Sequence, residues 1–250
     1  RYLPQWIRTN LTEDEKETAV VLCNESMLQP VLHSLPENVS HLNITMGFPL
    51  SQTPAYSFIN ALMELHTAGY NPNNGRYRFD EVISVLRHPY TRQLSSEAGK
   101  LEKALTQDNR FYPLPSELEK DEALELLFQP REGNLSLCIM LAEALKRMAA
   151  CYQQQAASAD AAFDQLYREA LFNAFTLINR FHTLTESGEL QVQPATFKRL
   201  LTRVMSAASI PFHGEPAIGM QVMGVLETRN LDFRHLIMLS VNEGQLPKSG

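Results

Sequence analysis

Short apolar runs that stop abruptly at polar, glycine-bearing turns occur only near the two ends of this 250-residue chain, and that separation limits what it can fold into. Near the start, Thr18-Ala-Val-Val-Leu-Cys23 runs into Asn24-Glu25-Ser26, and His41-Leu-Asn-Ile-Thr45 runs into Met46-Gly47-Phe48-Pro49-Leu50. Near the end, Met220 to Val225 stops at Glu227-Thr228-Arg229-Asn230, and a run from Leu236 to Val241 stops at Asn242-Glu243-Gly244. Runs of this length bounded by turn residues read as buried strands, near 18–23, 41–45, 220–225 and 235–241. Helices are expected over Met27–Ser34, ending before Pro36, and from Pro54 to Thr67, with Gly69 just beyond. Strand, helix, strand, helix is the beginning of a parallel α/β unit, and such sheets bind ligands at the carboxyl ends of their strands.

From Tyr70 to Ser209 the β-branched runs vanish and helical periodicity takes over. Phe79, Val82, Ile83 and Leu86 make one stripe, closed by His88-Pro89-Tyr90. Leu137, Leu141, Ala144, Leu145 and Met148 make a second. A third, longer one starts at Phe163 and passes through Leu166, Tyr167, Ala170, Leu171, Ala174, Phe175 and Ile178. The reading is an α/β domain formed by residues 1–69 and 210–250, interrupted by an all-helical insertion over 70–209.

The charge balance, 22 Lys+Arg against 28 Asp+Glu, gives a net charge of −6 and argues against a stand-alone DNA-binding module, which concentrates positive charge. Two basic groupings stand out, Arg76, Arg78, Arg87, His88 and Arg92, and Lys198, Arg199 and Arg203; both read as solvated helix faces. Cys23, Cys138 and Cys151 lack CxxC spacing, and Cys23 at a strand end and Cys138 in an apolar helical run read as buried thiols of a reducing compartment. No signal peptide or membrane-length apolar run occurs, so a cytoplasmic protein with no membrane partner is expected. The chain opens at Arg1 without Met and closes at Lys248-Ser249-Gly250, as a segment of a longer polypeptide would.

Glu227, Thr228, Arg229 and Asp232 cluster beyond a strand end, where an Arg can grip phosphate through two parallel hydrogen bonds. The same residues also suit a turn held by Arg229 pairing with Glu227 or Asp232. His213-Gly-Glu215-Pro216 lacks further ligand-type residues at useful spacing and reads as a re-entry loop. Asn242-Glu243-Gly244 reads as a tight turn with Gly244 at positive φ. There is no G-x-x-x-x-G-K-[ST] phosphate loop, no G-x-S-x-G elbow, and no acidic-x-Lys element of a magnesium nuclease, so the segment itself is not expected to be an enzyme and no catalytic or metal residue is assigned.

The closing pattern resembles the second motor domain of UvrD/RecB-type superfamily 1 helicases, and most closely the AddB branch of the AddAB helicase-nucleases. Their strand-to-loop motif reads Thr-x-His-x-Ala-Lys-Gly-Leu-Glu-Phe. Leu231-Asp232-Phe233 matches its Leu-Glu-Phe, Arg229 stands in the Lys place and Asn230 in the Gly place. Leu226 and Gly224 replace the His and Thr, which contact single-stranded DNA in active members, and AddB and RecC chains show the same kind of loss. The resemblance implies a RecA-like domain 2A of the P-loop NTPase type, lacking the P-loop, with a helical 2B insertion. It places Asp232 toward a nucleotide ribose, and Asn43, Thr45, Gly47 and Phe48 in a loop that touches single-stranded DNA. Gly47 would permit close backbone approach and Phe48 would stack on a base, although Phe48 in the core and Thr45 capping the turn explain the same residue types. It also implies a bacterial helicase/exonuclease for recombination and DNA double-strand-break repair. In it this degenerate motor domain guides DNA against a first motor domain, a nuclease domain and an AddA-like partner subunit; ATP and magnesium belong to the parent complex. The alternative is a stand-alone protein-interaction module with no DNA role.

Overall fold

The computed structural model describes residues 2–154, 161–210, 219–229, 231–244 and 246, with the side chains of 154 and 161–165 outside the description. The strands are β1 (Thr18–Leu22), β2 (Leu42–Ile44), β3 (Phe48–Pro49), β4 (Tyr70–Asn71), β5 (Arg76–Tyr77), β6 (Ser209–Ile210), β7 (Met220–Gly224) and β8 (His235–Leu239). The α-helices are α1 (Leu3–Asn10), α2 (Leu28–Leu32), α3 (Pro54–Glu64), α4 (Phe79–Arg87), α5 (Pro89–Leu94), α6 (Ala98–Gln107), α7 (Pro115–Leu118), α8 (Glu122–Phe128), α9 (Gly133–Gln154), α10 (Ala161–Glu186) and α11 (Pro194–Ala207). Two compact units result, Arg1–Pro49 with Ser209–Gly250, and Leu50–Ala208.

In the first unit, β2, β7, β1 and β8 pair in that order into a four-stranded sheet. All three pairings are parallel, with Val20 opposite Val222 on one side and Ile237 on the other. Every residue of β1 and of β7 is buried, which is why both read as largely apolar runs rather than alternating ones. Burying a Val or Leu side chain contributes roughly 1.5–3 kcal/mol, so β1, with Val20, Val21 and Leu22 closed off, anchors the sheet. The edge strand β8 alternates instead, leaving Leu236 and Met238 exposed. The helix α1 has no counterpart in the sequence reading: its buried stripe is only Leu3 and Ile7, too short to register as a period. The Thr18 hydroxyl ties its end to β1 by donating to the Asn10 carbonyl at 3.3 Å.

The second unit is built on the three stripes. Val82, Ile83 and Leu86 of α4, Leu141 and Leu145 of α9, and Leu171 and Ile178 of α10 are all buried. Phe175 is only half-buried, and Phe163 lies outside the described side chains. Hydroxyl and carboxylate caps start two helices: Thr53 Oγ1 accepts from the Tyr56 amide at 3.3 Å, and Asp121 Oδ1 from the Leu124 amide at 2.8 Å. Two features depart from the sequence reading. The helix from Pro54 ends at Glu64, passes through a π-helical turn over Leu65–Gly69, and belongs to this helical unit. The insertion is also not all-helical, since β4 and β5 form an antiparallel hairpin whose two-residue strands are too short to show alternation.

Candidate functional site

Parallel pairing lines up the carboxyl ends of four strands on one edge of the first unit. Leu22 of β1 pairs with Gly224 of β7, and Ile44 of β2 with Val222, so the segments leaving β1, β2 and β7 emerge side by side. The β7 end turns into a 3-10 helix over Val225–Thr228. Glu227 folds its carboxylate back onto this turn, where Oε2 accepts from the Gly224 amide and, at 3.3 Å, from the Thr45 hydroxyl at the end of β2. Thr228 Oγ1 donates to the Val225 carbonyl at 2.8 Å. Thr45, Glu227 and Thr228 are thus brought together, and their hydrogen bonds hold the edge in shape.

Arg229 and Asp232 are exposed, and among the described residues neither takes part in an ion pair. Arg229 is therefore not held by Glu227 or Asp232; the Glu227 carboxylate is occupied by Thr45 and Gly224. Arg234 differs: it lies just before β8 at the amino-terminal edge of the sheet, pairs with Glu17 at 3.5 Å and donates its amide to the Glu17 carbonyl at 2.9 Å.

The remaining candidates are packed within the fold, with Phe48 following its core reading. Asn43 lies in the middle of β2 rather than at its end; it is 3% exposed and its amide donates to Gln221 Oε1 at 2.7 Å. Phe48 is 2% exposed, because it opens the short antiparallel ladder that β3 makes with β6, opposite Ile210. Gly47 sits against Ser209, whose Cβ lies 2.8 Å from where a Gly47 Cβ would be, so the close approach there is to the chain's own backbone ladder. Gly244 has the positive φ expected of its turn, 82°. His213 to Pro216 and Asn230 lie outside the described residues.

Sequence reasoning left out Asn24 and Ser26, which share the edge because β1 neighbours β7. Asn24 Oδ1 accepts from the Ser26 amide at 3.0 Å and from its hydroxyl at 2.7 Å. The signal was present as the polar turn Asn24-Glu25-Ser26, but only the strand order places it beside Val225–Thr228.

Other polar groupings prove to be internally satisfied. At the opposite, amino-terminal edge of the sheet lies an open cavity of about 550 Å³ lined by Asp14, Glu15, Lys16, Ser40 and His41. The Glu15 carboxylate accepts from the Ser40 and His41 amides at 2.7 and 2.9 Å, and Asp14 pairs with Lys16 at 3.0 Å. No group of three or more His, Cys, Asp or Glu able to hold a metal occurs among the described residues. In the helical unit, Ser57 Oγ and His88 Nε2 lie 3.0 Å apart, the spacing of a nucleophile and its base. His88 Nδ1, however, accepts from the Tyr90 amide at 3.1 Å, which puts the ring proton on Nε2, pointing at the serine. Burial holds this imidazole down to about 4, so it is neutral, and it has no lone pair with which to take the Ser57 proton. Most of the first basic grouping is paired locally: Arg87 and Arg92 share Glu102, whose carboxyl the Arg87 hydrogen bond holds below its ordinary range, Arg78 lies 3.5 Å from Glu81, and Arg76 donates to the Tyr112 carbonyl at 2.7 Å. In the second grouping, Lys198 pairs with Glu64.

The chain is a mixed α/β protein whose parallel sheet is assembled from its two ends. Among the described residues no helix is long and apolar enough to cross a membrane. No family model matches the sequence, and no curated protein matches it.

Proposed function

We propose that the chain is a degenerate RecA-like motor domain with a helical insertion, similar to the 2A and 2B portions of AddB-type subunits, and that it guides DNA within a helicase-nuclease for double-strand-break repair. The observation that carries this reading is the position of the turn 224–229. It leaves the carboxyl end of β7, a strand flanked by β2 and β1, at the sheet edge where open α/β folds receive ligands. With Glu227 hydrogen-bonded to Thr45, Arg229 is the exposed cation left beside this strand end to meet a phosphate. The Glu227 carboxylate is taken up by Gly224 and Thr45, and the role proposed for the turn is positioning; ATP, magnesium and the hydrolytic groups belong to the rest of the parent complex, with an AddA-like subunit as partner.

Binding of a fluorescent single-stranded oligonucleotide to the 250-residue chain, followed by anisotropy over a salt series, tests the proposal. Weak binding at low salt that falls as salt rises supports it. Absence of binding at the lowest salt overturns it in favour of a stand-alone interaction module. That second reading draws on the net charge of −6 and on Ile139 and Phe172, apolar side chains left 53% and 65% exposed on two neighbouring helices.

A further inference from the structure

Two adjoining hollows that share Lys146 lie along the seam between α9 and α10 and together make a groove. Ala149 and Gln153 of α9 line it together with Arg168 and Phe172 of α10, while Ile139 and Glu143 line it with Asn179 and His182. Numbers fall along one helix as they rise along the other, so the helices run antiparallel and the groove follows both. The α10 positions are 168, 172, 175, 179 and 182, a spacing of three and four that repeats each heptad, which is how one helix presents a face to another. From 139 to 153 the groove spans about 21 Å at the rise of an α-helix.

Its lining is suited to a helix rather than to a small molecule. Ala142 and Ala149, one heptad apart, leave recesses in the floor, and Ile139 and Phe172 stand as walls at 53% and 65% exposure. Lys146 belongs to both halves of the groove and lies 5.5 Å from the centre of the Phe175 ring. That covers a ring face a nucleobase would need. Among the described side chains the lining carries more positive than negative charge, in a chain that is acidic as a whole. Lys146, Arg168 and Arg131 line the groove, and Glu143, which lines it too, is already bonded to Arg147 at 3.2 Å.

We propose that this groove docks an amphipathic helix of a protein partner, with an apolar seam set between Ala142 and Ala149 and acidic residues meeting Lys146, Arg168 and Arg131. This surface is independent of the DNA-guiding edge, and its failure would leave that reading untouched.

The experiment uses two labelled helix-forming peptides of about four turns, identical in their Leu seam but flanked by Glu in one and by Lys in the other, titrated with the 250-residue chain. The acidic peptide is expected to bind at least tenfold more tightly than the basic one. Phe172→Glu and Ala149→Trp, one removing a wall and the other filling a recess, should each abolish binding without changing the circular dichroism spectrum. The double reversal Lys146→Glu with Arg168→Glu should invert the preference. Equal binding of the two peptides, no binding of either, or indifference to these variants would overturn the proposal. So would loss of self-association on Phe172→Glu, which would make a second copy the occupant, or displacement of the acidic peptide by single-stranded DNA.

Discussion

The Asn43 side-chain amide donates to Gln221 Oε1 at 2.7 Å inside the sheet, joining β2 to β7 between residues 178 apart in sequence. Gln221 passes the chain on, its own amide donating to the Gly219 carbonyl at 2.9 Å. Both side chains are nearly inaccessible, at 3% and 6%, so each satisfies a group that water cannot reach. Removing one partner strands the other, which costs about 1–3 kcal/mol. Asn43→Ala and Gln221→Ala are each expected to lose that much in urea denaturation, and the double variant to lose clearly less than the sum. Strict additivity would mean the bond contributes nothing.

Gly219 has φ of 83°, and a Cβ there would collide with the backbone of His41, whose carbonyl accepts from the Met220 amide at 3.0 Å. Strain and overlap act together, so Gly219→Ala should destabilise the chain by more than about 2 kcal/mol. Thermal unfolding of the variant measures it, and an unchanged Tm would show that the β2–β7 start relaxes freely.

Arg229 has no ion pair among the described residues and is exposed, so Arg229→Ala should leave stability within about 0.5 kcal/mol. If it meets a phosphate, the variant should weaken single-stranded DNA binding and lower the salt slope by about one. An unchanged slope would remove Arg229 from the DNA-guiding edge.

Acid stability should report two half-buried imidazoles. Burial holds His66 and His88 down to about 4, against an ordinary 6.5, so the folded chain keeps both neutral where the unfolded chain has begun to bind protons. Stability from this source is complete above pH 6.5 and is lost as pH falls toward 4, by on the order of 3 kcal/mol for the more deeply buried His66. Chemical denaturation at a series of pH values checks this. His66→Phe, although less stable at neutral pH, should flatten part of the decline; an identical decline would assign it elsewhere.

The thiols divide by environment. Cys138 is 1% exposed and burial pushes it up to about 12, whereas Cys23 and Cys151 are half-buried. In the native chain an aromatic disulfide reagent should titrate two thiols, with the third reacting only on unfolding. Three fast equivalents would mean that the α9 core opens readily.

Strands and helical stripes were legible in the sequence because burial leaves a local imprint. Strands covered on both faces become apolar runs, unbroken in Ala19–Leu22 and interrupted only by Gln221 in Met220–Met223, and helices packed on one side repeat every three to four residues, as in Val82, Ile83 and Leu86. Elements held by a few contacts, such as the β4–β5 hairpin and α1, leave too short an imprint to read.

The sequence by itself determined the α/β character, the helical stretch between its sheet-forming ends, and the polar turn that follows β7. Tertiary structure alone decided that β7 lies between β2 and β1, that Glu227 is taken up by Thr45 and Gly224, that Asn43 and Phe48 turn inward, and that Arg229 is left exposed. Local pattern records whether a residue is buried, whereas which partner buries it depends on strand order and register between segments far apart in the chain, and no short window of sequence contains both.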